Sequence, residues 1–76
     1  MNTELDYPTN IIYNINKAQI LKHENDYHKY IYYLKKKYKK NYKCFRFSGS
    51  PVAPYSELVN QCIFNLKYSG LLKYNN

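Results

Sequence analysis

Lysine and tyrosine are interleaved in one stretch of this chain in a way that could hold phosphate and nucleobase together. Thirteen of the eighteen residues from Asp26 to Lys43 are one or the other, and seven lysines against Asp26 put +6 of the total +7 there. An ammonium group neutralises a phosphate and releases condensed counterions. A phenol ring beside it can stack on any unpaired base. Lys29, Lys36, Lys39 and Lys40, with Tyr32 and Tyr33 projecting among them, are the residues expected to present this surface. Charge so localised points to an anionic partner more than to general solubility. The same residues also read as a solvated helix face whose tyrosines lie under lysine stems. Arg46 is the only arginine, which argues against extensive bidentate reading of guanine edges.

Composition tempers the lysine total. Asn, Lys, Ile and Tyr make up 38 of the 76 residues, and their codons are the richest in A and T. An AT-rich genome, such as those of many phages, viruses, parasites and low-GC bacteria, would produce this bias and the eleven-to-one excess of Lys over Arg. Bias would spread lysine along the chain, so the clustering still calls for a physical reason.

Other chemistry is weakly represented. His23, His28, Cys44 and Cys62 are ligand types that zinc accepts. The histidines are five apart and off a common helical face, however, and the cysteines are 18 apart with no paired-ligand knuckle, so no metal or other cofactor is expected. Glu4, Asp6, Glu24, Asp26 and Glu57 are scattered, and Gly49 and Gly70 alone cannot make a phosphate-cradling loop. An enzyme is the least favoured class. Two cysteines make at most one disulfide, and in a reducing compartment both are expected as buried thiols.

The run from Ser56 to Leu72 has a different character. Val59, Ile63 and Leu66 fall on one helical face, Gly70 is placed to close the helix in the left-handed conformation, and Leu71-Leu72 follows. This run resembles the recognition helix and first wing strand of winged-helix DNA-binding proteins. The resemblance covers residues 54–74 and implies that Asn60, Gln61, Phe64 and Lys67 face outward toward the major groove, where Asn or Gln can read adenine. Between Phe47 and Pro54 there is no room for the positioning helix which that family places before recognition. A core helix of a small mixed domain shows the same pattern.

The elements that must position these residues follow from periodicity. Residues 1–9 form an arm, and residues 10–76 a single small basic domain. Thr9 or Asn10 is expected to cap a first helix reaching about Lys22, with Ile11, Ile15 and Ala18 inward, Ile12 beside them, and Asn14, Asn16 and Lys17 elsewhere. Asp26 is expected to cap a second helix to about Lys40, its stripe of Tyr27, Tyr30, Ile31, Leu34 and Tyr38 facing the core. Alternation over residues 42–47 predicts a short strand ended by Ser48-Gly49-Ser50-Pro51, and Pro54 or Ser56 opens the third helix. Residues 71–74 can add a last strand pairing with 43–47. The predicted fold is therefore α+β, in the order helix, helix, strand, helix, strand. Its core is drawn from Ile11, Ile15, Ile31, Leu34, Phe45, Phe47, Leu58, Val59, Ile63 and Leu66.

A chain of this length buries only about 60% of its unfolded surface, so pairing into a homodimer or docking on a larger complex would add needed stability. No apolar window is long enough to span a membrane, and the first residues are polar, so the expected location is intracellular, cytoplasm or nucleus. Binding is the expected function. Nucleic acid, DNA first, is the leading partner. An acidic protein surface, met by a phage- or viral-type inhibitor or by a small subunit of a larger assembly, is the alternative.

Overall fold

Asp6 starts the first helix. Its carboxylate accepts a hydrogen bond from the Thr9 amide at 2.9 Å, and Pro8 fits the first turn, where an amide hydrogen has no helical partner. The computed structural model describes residues 5–72. It shows three helices, α1 (Tyr7–Lys17), α2 (Glu24–Lys37) and α3 (Glu57–Tyr68). The first helix begins ahead of the expected Thr9 or Asn10 cap because Asp6 is the better acceptor. It stops at Ala18, short of Lys22. Gln19 turns the chain with φ +56°, and its side-chain amide donates to the Asn16 carbonyl at 2.8 Å. Ile20, beyond the turn, is exposed.

The second helix begins one turn early as well. His23 is extended at the N-cap, and Asp26, the expected cap, sits inside the helix and accepts from the His23 amide at 3.2 Å. The end also differs from the expected Lys40: Tyr38 leaves helical geometry at φ −127°, ψ 64°. Signals for α3 are local and complete. Ser56 Oγ accepts from the Val59 amide at 3.3 Å. Gly70, at φ +73°, closes the other end, with its own amide on the Lys67 carbonyl at 3.1 Å and that of Leu71 on Leu66 at 2.9 Å.

No strand forms among the described residues, so the α+β expectation is corrected to a small all-helical fold. The reason is a lack of partners. Leu71 and Leu72 spend their amides on the Leu66 carbonyl as the cap of α3, while Lys73 and Tyr74 lie outside the described residues. Opposite, the Phe45 carbonyl accepts from Lys35 Nζ. What remains is one antiparallel bridge, Ser48 to Tyr55, which closes the Gly49–Pro54 loop. The alternation over 42–47 marks Phe45 as buried and Phe47 as partly buried, each against helices. The wing strand expected from the winged-helix resemblance does not form over Leu71 and Leu72.

α3 packs chiefly on α1 and less on α2. At the centre lie Ile12, Tyr27, Ile31, Phe45, Val59, Cys62, Ile63 and Leu66, and each buried aliphatic or aromatic side chain contributes roughly 1.5–3 kcal/mol. The register of α1 differs from the expected one. Ile12 is fully buried while Ile11 and Ile15 are partly so, and Thr9 and Asn16, one turn to either side, are buried with Ile12. These polar groups have partners, which limits the cost of burial: Thr9 Oγ1 donates to Cys62 Sγ at 3.5 Å, and Asn16 Nδ2 donates to Tyr27 Oη at 2.9 Å. Along the α2 stripe, Tyr27 and Ile31 are buried, Tyr30 and Leu34 intermediate, and Tyr38 exposed.

Candidate functional site

Because α2 stops at Lys37, the lysines that follow do not continue its face. The chain turns, with the Asn41 amide on the Tyr38 carbonyl and the Phe45 amide on the Tyr42 carbonyl, both at 3.1 Å. Tyr7 Oη ties this turn to the start of α1 by donating to the Asn41 carbonyl at 3.0 Å. The returning segment runs beside α2, and between them opens a cleft of about 410 Å³ lined by Tyr32, Lys35, Lys36, Lys39, Lys43 and Phe47. Its aromatic wall is an edge-to-face pair, Tyr32 and Phe47, with centroids 5.3 Å apart and planes at 76°.

Four lysine side chains line this cleft and no acidic residue does. Lys36 Nζ lies 5.0 Å from the Tyr32 ring centroid. Lys35 Nζ is 6.0 Å from that of Phe47 and is held by its bond to the Phe45 carbonyl. Such cation–ring contacts are worth about 0.5–1 kcal/mol at exposed sites, so they orient the lysines without locking them. Chemically the cleft offers positive charge beside an angled aromatic wall.

Of the residues expected at a basic face, Tyr32, Lys36 and Lys39 meet in the cleft, whereas Tyr33 and Lys40 are exposed but do not line it. Lys29 borders a separate hollow of about 470 Å³ with Asn25, His28 and the loop residues Val52 to Tyr55. Lys35, Lys43 and Phe47 were missed. Lys35 was legible, since it lies three residues from Tyr32 and beside Lys36 on one side of a helix. The other two were assigned to a strand, and only the turn after Lys37 brings them round.

His28 belongs to the structural frame. It is buried, its ring is stacked on Tyr55 at 4.8 Å, and its Nδ1 accepts from the Ser56 amide at 3.0 Å. Burial holds its pKa below the ordinary value of 6.5, with the Glu24 carboxylate opposing that shift. Both cysteines are thiols, but only Cys62 is buried as expected; Cys44, in the segment that turns back after α2, is exposed, and burial raises the Cys62 pKa. Among the described residues, no three His, Cys, Asp or Glu side chains come together as a metal-binding group.

The outward face of α3 is chemically different. Asn60, Gln61 and Phe64 border a hollow of about 360 Å³ with Asn65 and Glu57, whose carboxylate opposes an anion there. Phe64 is 59% exposed and Tyr68 84%, with their rings 5.6 Å apart. Lys67, expected on this face as a contact residue, is paired with Glu24 at 2.9 Å. Glu24 and Lys36 are separated by twelve residues of α2, about 18 Å along its axis, so the lysine cleft and the Lys67 pair occupy opposite ends of that helix. No helix is long and apolar enough to cross a membrane among the described residues. Comparison of the chain with protein-family models, curated proteins and solved structures found no match.

Proposed function

We propose that this protein binds nucleic acid through the lysine cleft at the C-terminal end of α2. The observation that carries this reading is the gathering of Lys35, Lys36, Lys39 and Lys43 around one concave surface with no lining carboxylate. Mutual repulsion of four cations is unfavourable for folding and is relieved by an anionic partner, and a phosphate chain supplies charge at the matching density. Asn60 and Gln61 on α3 are the residues that could reach base edges, although Glu57 weakens the attraction on that side. The free thiols of Cys44 and Cys62 are consistent with action inside the cell, in cytoplasm or nucleus.

Titrating a labelled oligonucleotide by fluorescence anisotropy at several salt concentrations tests the proposal. Three engaged lysines, Lys36, Lys39 and Lys43, with Lys35 held on the Phe45 carbonyl, give a slope of log affinity against log salt of about −2 to −3. Replacing Lys36, Lys39 and Lys43 with Gln should bring the slope to about 0 and lower affinity at least tenfold, about 1.4 kcal/mol. An affinity independent of salt, or unchanged in the triple variant, removes the cleft from the function. A second reading, docking on a protein partner, draws on the exposed Phe64 and Tyr68 pair. It predicts binding that tolerates salt and is lost on aromatic truncation.

A further inference from the structure

We infer that the cleft receives an unstacked nucleotide of a single-stranded nucleic acid, its base against the Tyr32 and Phe47 rings and its phosphates among Lys36, Lys39 and Lys43. This rests on the nucleic-acid reading above and adds the form of the ligand. Lysines on a convex helix would suffice to hold the outside of a duplex. Here they surround a hollow whose aromatic wall has no counterpart in phosphate chemistry. A volume of about 410 Å³ lies at the small end of ligand pockets, the scale of one base with its sugar. A duplex keeps its base faces inside the stack, so it could satisfy the lysines and leave the aromatic wall uncovered. A single strand satisfies both.

The geometry also shows how the exchange would proceed. Lys36 covers the Tyr32 ring at 5.0 Å. An arriving strand offers that ammonium a phosphate, which is the stronger partner, and the vacated ring face accepts the base. Lys35 stays in place on the Phe45 carbonyl and so steadies the segment that carries Phe47. The cleft lining contains lysine and aromatic side chains only, and its one side-chain acceptor, the Tyr32 hydroxyl, is too little to read a base edge, so stacking here is tolerant of sequence.

The test compares three ligands of equal length at one salt concentration: a thymidine strand, an abasic strand with the same phosphates, and a duplex. The thymidine strand should bind the protein about tenfold or more tightly than the abasic one, and more tightly than the duplex. Phe47→Leu should shrink the preference for the thymidine strand over the abasic one. Because Phe47 also packs against the core, thermal melting of the variant is recorded, and the comparison of ligands on the unaltered protein stands whatever that variant does. Equal affinity for thymidine and abasic strands, or a preference for duplex, overturns the inference while leaving phosphate binding intact. Absence of binding to all three at low salt overturns both.

Discussion

The two ends of α2 are built on opposite principles. At its N-terminal end, three of the charged or polar groups are tied to partners. Glu24 meets Lys67, Asp26 accepts from the His23 amide, and His28 accepts from Ser56 beneath Tyr55. Buried Tyr27 and Ile31 join this end to the core. At the C-terminal end, Lys35, Lys36, Lys39 and Lys43 crowd one cleft without a carboxylate. One helix therefore carries the anchor of the fold at one end and the unbalanced charge at the other, and stability and binding should be separable by position along it.

The sharpest break comes from the core. Ile31→Ala should cost about 2–5 kcal/mol of folding free energy, read by denaturant unfolding, while whatever fraction stays folded keeps the salt slope of the parent. A loss below about 1 kcal/mol would mean that α2 is not anchored through this residue. The loop joining the two ends provides the next test. Gly49 has φ +84°, and a Cβ there would lie 2.7 Å from the Ala53 carbonyl oxygen. Gly49→Ala should therefore cost about 1–3 kcal/mol. It should also weaken binding, because this loop links Phe47 of the cleft to Tyr55 and Ser56 over His28. Gly70→Ala meets no neighbouring atom, so its cost should be confined to backbone strain, about 1 kcal/mol.

Acid should separate the ends without mutation. The His28 pKa is depressed in the folded state because burial disfavours its charged form. Above about pH 6.5 both folded and unfolded chains hold the ring neutral, and the contribution to stability is complete. As pH falls through the window below that value, the unfolded chain takes up the proton first, and stability declines until the folded pKa is passed. Denaturant midpoints measured from pH 7.5 to 5 should show that decline, and His28→Gln should flatten it. The smallest effect is expected on α3: Phe64→Ala, at an exposed position, should change stability by no more than about 0.5 kcal/mol. A loss of several kcal/mol would place Phe64 in the core and remove α3 as a free face.

Legibility followed the range of the interactions. α3 was readable because its determinants lie within a turn or two of one another: the Ser56 cap, the inward Val59, Cys62, Ile63 and Leu66, the outward Asn60, Gln61 and Phe64, and the Gly70 close. α1 was found but misregistered. Thr9 and Asn16 look polar along the chain, and only partners at Cys62 and Tyr27 make them buried residues. Residues 42–47 alternate as a strand would, yet alternation records which side chains are inward and does not supply a neighbouring strand to bond.

By itself, the order of residues determined three helical segments, the Gly70 close of the third with its start narrowed to Pro54 or Ser56, and the concentration of lysine and tyrosine between Asp26 and Lys43. These depend on local backbone preference and on composition, which need no distant contact. Tertiary structure alone decided that Tyr38 would end α2, that Lys35 would hold the Phe45 carbonyl, and that Lys43 and Phe47 would close on Tyr32 to make a cleft. Each depends on where the chain goes after leaving the helix, and that path is set by the burial of Phe45 in a core assembled from all three helices.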